Sequence, residues 1–136
     1  MSPVRSHIWK SEKFSIERIE DLAPGVLIYQ FSGPFAANDM YRSLKPIVVL
    51  NIFDFKPLPG KEPYSLHVFD LTQVPTIDSS ALGLVVSHFI SCRNKGIRVI
   101  AVGVSANVLQ LLKFTKLDAL IPMAATVEQA IAAPQS

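Results

Sequence analysis

The sequence predicts an α/β domain: a mixed, mostly parallel sheet of about five strands with an antiparallel edge hairpin, packed with about four helices. Two observations carry this reading. From residue 65 onward, short apolar runs of strand length alternate with segments whose apolar residues recur at helical spacing, as parallel strands joined by helical crossovers require. Ahead of them, two strand-like segments flank the turn sequence Asp21-Leu22-Ala23-Pro24-Gly25.

The first strand is expected at residues 14–19, where Phe14, Ile16 and Ile19 roughly alternate with polar residues. Val26-Leu27-Ile28-Tyr29-Gln30-Phe31 follows as its hairpin partner, and Gly33-Pro34 ends it. From Ala36 the pattern is helical, with Met40, Leu44 and Ile47 on one face. Pro46 kinks or breaks this helix before it reaches about residue 51. Residues 51–63 hold three prolines and a glycine and read as a loop insertion, whose Ile52, Phe53 and Phe55 are apolar enough to dock. Ser65-Leu66-His67-Val68-Phe69-Asp70-Leu71 is a strand running into the interior. An amphipathic helix comes next, with Leu82, Val85, Val86 and Phe89 on its inward face, stopped by Arg93-Asn94-Lys95-Gly96. Residues 97–102 form a mostly apolar strand. Ser105 caps a helix burying Val108, Leu109, Leu111 and Leu112; a short strand is expected at residues 120–123. Thr126-Val127-Glu128-Gln129 then matches a capping box, opening a last short helix. One domain at residues 13–132 results, with a flexible amino-terminal extension at 1–12 and a tail at 133–136.

Composition narrows the function. Of 136 residues, 49% are hydrophobic and 18% charged, which suits a packed core and excludes a disordered chain. A formal charge of +2 spread along the chain gives no basic face, so nucleic acid is not an expected partner. No apolar run approaches the length of a membrane span, so direct membrane insertion is not expected either. A single cysteine, Cys92, excludes a disulfide framework and reads as a buried thiol in a reducing compartment. A cytoplasmic location follows from these features as an expectation.

Candidate chemistry concentrates in Ile77-Asp78-Ser79-Ser80-Ala81-Leu82-Gly83, which sets an acid and two hydroxyls at the start of the best helix. Read from spacing alone, Asp78 and the serines are helix caps, whose oxygens accept from free backbone N–H groups. No Gly-x-Ser-x-Gly elbow supports a hydrolase. His67 in a strand and His88 on a helix read as structural, and the three histidines lack metal-ligand spacing. No metal, cofactor or enzymatic activity is expected. Arg93, Lys95 and Arg98 read as a solvated edge.

Together with Asp70-Leu71-Thr72, the Asp78-Ser79-Ser80 segment resembles the Asp-Leu-Ser strand and the Asp-Ser-Ser-Gly-Leu-Gly motif of the STAS domain. Lys95-Gly96-Ile97-Arg98-Val99, the segment from Val104-Ser105 to Leu112, and Leu117-Asp118 resemble the rest of that pattern. The likeness spans about residues 65–131, and its motif is closest to anti-sigma-factor antagonists. Residues 26–41, with Gly33-Pro34-Phe35, look closer to the version found in sulfate transporters.

The resemblance implies a phosphorylation-sensitive protein-binding module in a partner-switching pathway, without a cofactor of its own. Its implied partners are an anti-sigma factor that is also a serine kinase, and a phosphatase; a homodimer is compatible with it. Carried over by motif, Ser79 is the phosphorylated residue, with Ser80 as the alternative. Asp78, Ser79, Ser80, Ala81, Phe35 and Asp39 form the implied partner surface. The antagonists carry an acidic pair in the loop after the second strand. Here Ser32-Gly33-Pro34-Phe35-Ala36 has no acid before Asp39, which favours the alternative: a non-switching scaffold or transporter-associated module.

Overall fold

The computed structural model describes residues 3–54, 59–60 and 63–133. Six strands form one sheet in the order β1-β2-β3-β4-β5-β6: β1 (Val4–Lys10), β2 (Ser15–Glu20), β3 (Val26–Ser32), β4 (Leu66–Gln73), β5 (Arg98–Val102) and β6 (Met123–Ala124). The first three are antiparallel neighbours and the last four parallel ones. Five helices complete the described chain: α1 (Ala37–Ser43), α2 (Pro46–Leu50), α3 (Ser79–Asn94), α4 (Ala106–Phe114) and α5 (Val127–Ala132). The expected mixed, mostly parallel sheet with an antiparallel edge is the observed one.

The period-two geometry of a strand sorts the core into two layers. Leu27, Tyr29 and Phe31 of β3, with Phe69 and Leu71 of β4 and Val99 and Ala101 of β5, share a large cluster with residues of α1, α3 and α4. Val26 and Ile28, Leu66 and Val68, and Ile100 and Val102 point to the opposite face. There Ala130 of α5 packs against them. Both faces of the central strands are therefore covered, as expected for parallel pairs.

One boundary differs from the expectation. Val4–Lys10, assigned by sequence to a flexible extension, is strand β1, paired antiparallel with β2. Ser11 closes the turn, its N–H donating to the Phe14 carbonyl at 2.8 Å and its Oγ accepting from the Phe14 N–H at 3.2 Å. An edge strand is mostly solvated, so β1 has no apolar alternation to announce it. The backbone ladder with β2 holds it, Ile8 and Trp9 pack against the core, and Arg5 and His7 reach Glu17 at 3.3 and 3.1 Å.

The segment around Pro46 resolves into two helices. Leu44 has extended backbone and its N–H donates to the Met40 carbonyl, ending α1; Pro46 then opens α2, where its missing N–H costs nothing. In the loop beyond, Phe53 docks as expected and is buried, while Phe55 lies outside the described residues. The short strand expected at residues 120–123 is observed only at Met123–Ala124. Residues 120 and 121 are instead turned, their N–H groups donating to the Leu117 carbonyl, and Pro122 has no N–H for a ladder.

Helix α3 presents the predicted face: Leu82, Val85 and Phe89 are buried and Val86 packs against the core. Phe89→Ala is expected to cost about 3–5 kcal/mol, read as a shift of the urea unfolding midpoint; a loss under ~1 kcal/mol would contradict this placement.

Candidate functional site

The start of α3 is held by a single carboxylate. Asp78 takes extended backbone as N-cap, and its Oδ1 accepts from the Ala81 N–H at 2.7 Å. The same oxygen accepts from the Ala37 N–H at 3.3 Å, so it joins the first turn of α1 to that of α3. Backbone contacts brace the junction. The Phe35 N–H donates to the Thr76 carbonyl at 2.9 Å and the Asp78 N–H to the Phe35 carbonyl at 3.0 Å, forming a parallel bridge between Phe35 and Ile77. The loop after β3 therefore lies against the segment leading into α3.

Gly33 makes this loop's path feasible. It has φ +97°, and an added Cβ would collide with the Lys13 carbonyl. At the end of β4, Asp70 Oδ1 accepts from both the N–H and the hydroxyl of Thr72, at 3.1 and 2.6 Å. The bond lies within β4, which runs on to pair Gln73 with Ser32 after a shift of register against β3.

The motif side chains divide by orientation. Ser79 is exposed on the first turn of α3. Ser80 is half-buried and its Oγ donates to Asn38 Oδ1 at 3.2 Å, a second link to α1. Asp39 is exposed and pairs with Arg42 at 3.2 Å. Two members of the expected partner surface are not on the surface. The Phe35 ring is fully buried, stacked on Phe14 with centroids 4.7 Å apart and on Phe31 at 5.1 Å. The Ala81 methyl is also fully buried. Both side chains face the core, because the loop and helix close over it at these positions. Gly83, one turn further along α3, is exposed and an added Cβ would enter open space.

A second constellation, which the sequence reading did not assemble, lies nearer the other end of α3. His67 of β4 and His88 of α3 place Nδ1 and Nε2 2.9 Å apart, and Cys92 Sγ stands 3.3 Å from His88 Nε2 and 3.7 Å from His67 Nδ1. Burial, then repulsion from Lys95 and from His88 where that ring is protonated, holds His67 down at about 3. Burial and Lys95 hold His88 down at about 4, so both imidazoles are neutral at pH 7. Burial pushes the Cys92 thiol up to about 11. Spacing among histidines alone hid this group. The available signal was the mixed pair His88 and Cys92, four apart on one helix face.

Among the described residues no helix is long and apolar enough to cross a membrane. The fold and the Asp78-centred junction define an α/β domain that displays a short polar helix start beside a loop. A STAS-domain family model matches residues 19–130, and the chain belongs to that family. No curated protein sequence matches it. Solved structures that are similar include a sulfate transporter family protein from Wolinella succinogenes, with 23% identity, coverage of 83% of this chain and 87% of that one, and TM-score 0.63. A second is a putative anti-sigma factor antagonist from Thermotoga maritima, with 21% identity, 82% and 89% coverage and TM-score 0.64. A third is the anti-sigma factor antagonist SpoIIAA in its unphosphorylated form, with 18% identity, 87% and 92% coverage and TM-score 0.59. At these identities the likeness is one of fold.

Asp78 and Ser79 have separable roles in stability. Asp78→Ala removes the acceptor for two backbone donors and is expected to cost about 1–2 kcal/mol in chemical denaturation, with Asp78→Asn milder because its amide oxygen still accepts. Ser79→Ala is expected to stay within about 0.5 kcal/mol of the unmodified chain, as an exposed substitution with its cap supplied elsewhere.

Proposed function

We propose that this STAS domain is a phosphorylation-sensitive protein-binding module, acting as an anti-sigma-factor antagonist in a partner-switching pathway. The observation that carries the reading is the exposure of Ser79 beside a helix cap that does not depend on it. A kinase can reach this hydroxyl, and phosphate can be added without breaking the Asp78 bonds to Ala81 and Ala37. The first turn of α3 contains no acidic residue, and its backbone dipoles favour negative charge.

Phosphorylation would place about −1.5 to −2 charges next to Asp78. A partner surface fitted to a neutral hydroxyl would then meet bulk and like-charge repulsion, while the domain keeps its fold. Ser79 is the proposed acceptor and Ser80 the alternative, although the Ser80 hydroxyl is engaged with Asn38. Asp78, Ser79, Ser80 and Asp39 form the polar part of the docking surface. The proposed partners are a serine kinase that doubles as the anti-sigma factor, and a phosphatase that resets the switch; the cytoplasm is where such partners meet. No catalytic role is proposed for the domain. The fold likeness to anti-sigma factor antagonists, including a SpoIIAA determined in its phosphorylated form, supports the reading.

A second reading has its own observation. The loop from β3 to α1 lies against residue 77 yet offers no acid before Asp39. A kinase that depends on acidic residues there would not recognise it. The domain would then serve as a scaffold or a transporter-associated interaction module, in line with its likeness to the sulfate transporter family protein.

Intact mass of the chain isolated from its own cells separates the two readings: an adduct of one phosphoryl group mapping to Ser79 is expected for the switch. A partner captured with Ser79→Ala as bait should bind the unphosphorylated chain and the Ala variant equally, and Ser79→Asp about 10-fold or more weakly. Equal affinities for all three would leave the scaffold reading. Gly83→Ala should raise stability by about 0.8–1 kcal/mol, since the site is open and alanine is the better helix former. The same change should weaken partner binding if the partner packs on this face of α3, which the same binding assay reads.

A further inference from the structure

We propose that His67, His88 and Cys92 form a binding site for one zinc(II) ion, pinning strand β4 to helix α3. The site is separate from the proposed phospho-switch. His88 lies nine residues along α3 from Ser79, about 13 Å at the rise of an α-helix.

Convergence of three ligand atoms is the first argument. Three heteroatoms of metal-ligating type meet with separations of 2.9, 3.3 and 3.7 Å. Hydrogen bonding cannot satisfy all three contacts. If His67 Nδ1 donates to His88 Nε2, it has no lone pair left for the thiol, and the single lone pair of His88 Nε2 is taken. If His88 donates to the sulfur instead, the thiol can donate to His67 Nδ1, but the shortest contact, between the two nitrogens, then has no hydrogen of its own. A cation at the centre engages every lone pair at once. Bond lengths of about 2.05 Å to nitrogen and 2.3 Å to sulfur in a tetrahedral site imply ligand separations of about 3.3 Å for N···N and 3.6 Å for N···S. Widening the His67–His88 distance by about 0.4 Å and the His88–Cys92 distance by about 0.3 Å meets that geometry.

The surroundings are those of a built site. Tyr29, Phe53 and Phe69 enclose the His88 ring, with centroids 5.8, 5.5 and 5.2 Å away, and Phe69 stacks on it at 10°. Such a shell fixes ring orientation and excludes water from one side. On the other side a cavity of about 210 Å³ opens on His67, His88 and Cys92, lined also by Asn51, Asp54, Ser87 and Ser91. It leaves the fourth coordination position open to water. Lys95, on the cavity wall, opposes a cation, whereas the Asp54 carboxylate on the same wall favours one. Binding forms a zinc–sulfur bond and releases the Cys92 thiol proton to solvent, leaving two neutral imidazoles and one thiolate on the ion. Two nitrogens and a thiolate suit zinc better than the hard cations, which take oxygen ligands.

Cobalt(II) provides a residue-specific probe, because the chain holds one cysteine and any thiolate-to-cobalt charge-transfer band must come from Cys92. Adding cobalt(II) to the full chain, stripped with chelator and kept reduced, should produce that band with a one-to-one end point. Zinc(II) should abolish it by displacement and raise the thermal midpoint. His88→Gln and Cys92→Ser should each weaken zinc binding by more than the roughly 10–100-fold that losing an outer-shell partner costs, while His7→Gln, remote on β1, should leave it unchanged. Absence of the band at a folded, reduced thiol would overturn the proposal, even if neither variant folds. So would a band that zinc does not displace, or zinc affinity lost with His7 and kept without His88.

Discussion

Strands β3, β4 and β5 carry apolar residues on both faces, and neither face can be left in water. Val26 and Ile28 point one way while Leu27, Tyr29 and Phe31 point the other, and the same division runs through Leu66 to Leu71 and Val99 to Val102. Burying a side chain of this size is worth about 1.5–3 kcal/mol, so exposing either layer would exceed the stability of a small domain. Helices must therefore cover both sides. That requirement lays α3 and α4 over one face and α5 over the other, and it places the first turn of α3 beyond the end of β4.

The Asp78 junction follows from that placement. Once α3 starts beside the loop from β3, the first turns of α1 and α3 both need acceptors, and one carboxylate serves the two. The buried rings of Phe14, Phe31 and Phe35 hold the loop from beneath. Ser79 is thus displayed on a rigid support, and a charge added to it changes the surface while leaving the frame intact. The proposed binding switch is local electrostatics presented by a fixed scaffold.

The two ends of α3 have different physical characters. At Ser79 the helix meets solvent. Around His88 and Cys92 it meets a half-enclosed polar pocket within an aromatic layer, where neutral forms prevail because charge is poorly solvated. One helix consequently carries the proposed partner surface and the proposed ion site, spaced about three turns apart.

Local pattern determined much of this protein by itself. The β2–β3 hairpin, the interior strand with Phe69, the caps at Asp78, Ser105 and Thr126, and the inward face of α3 all follow from alternation, helical spacing and side-chain oxygens ahead of free N–H groups. These are short-range causes, readable in a few neighbouring residues. Strand β1 was not readable, because an edge strand exposes most of its side chains and is held by its backbone ladder with β2. Nor was the burial of Phe35 and Ala81: a motif names residue types, while the direction of each side chain depends on which element closes over it. His67, 21 residues from His88 in sequence, met it only when β4 slid beneath α3. Contacts of that range depend on how the layers stack, and tertiary structure alone decided them.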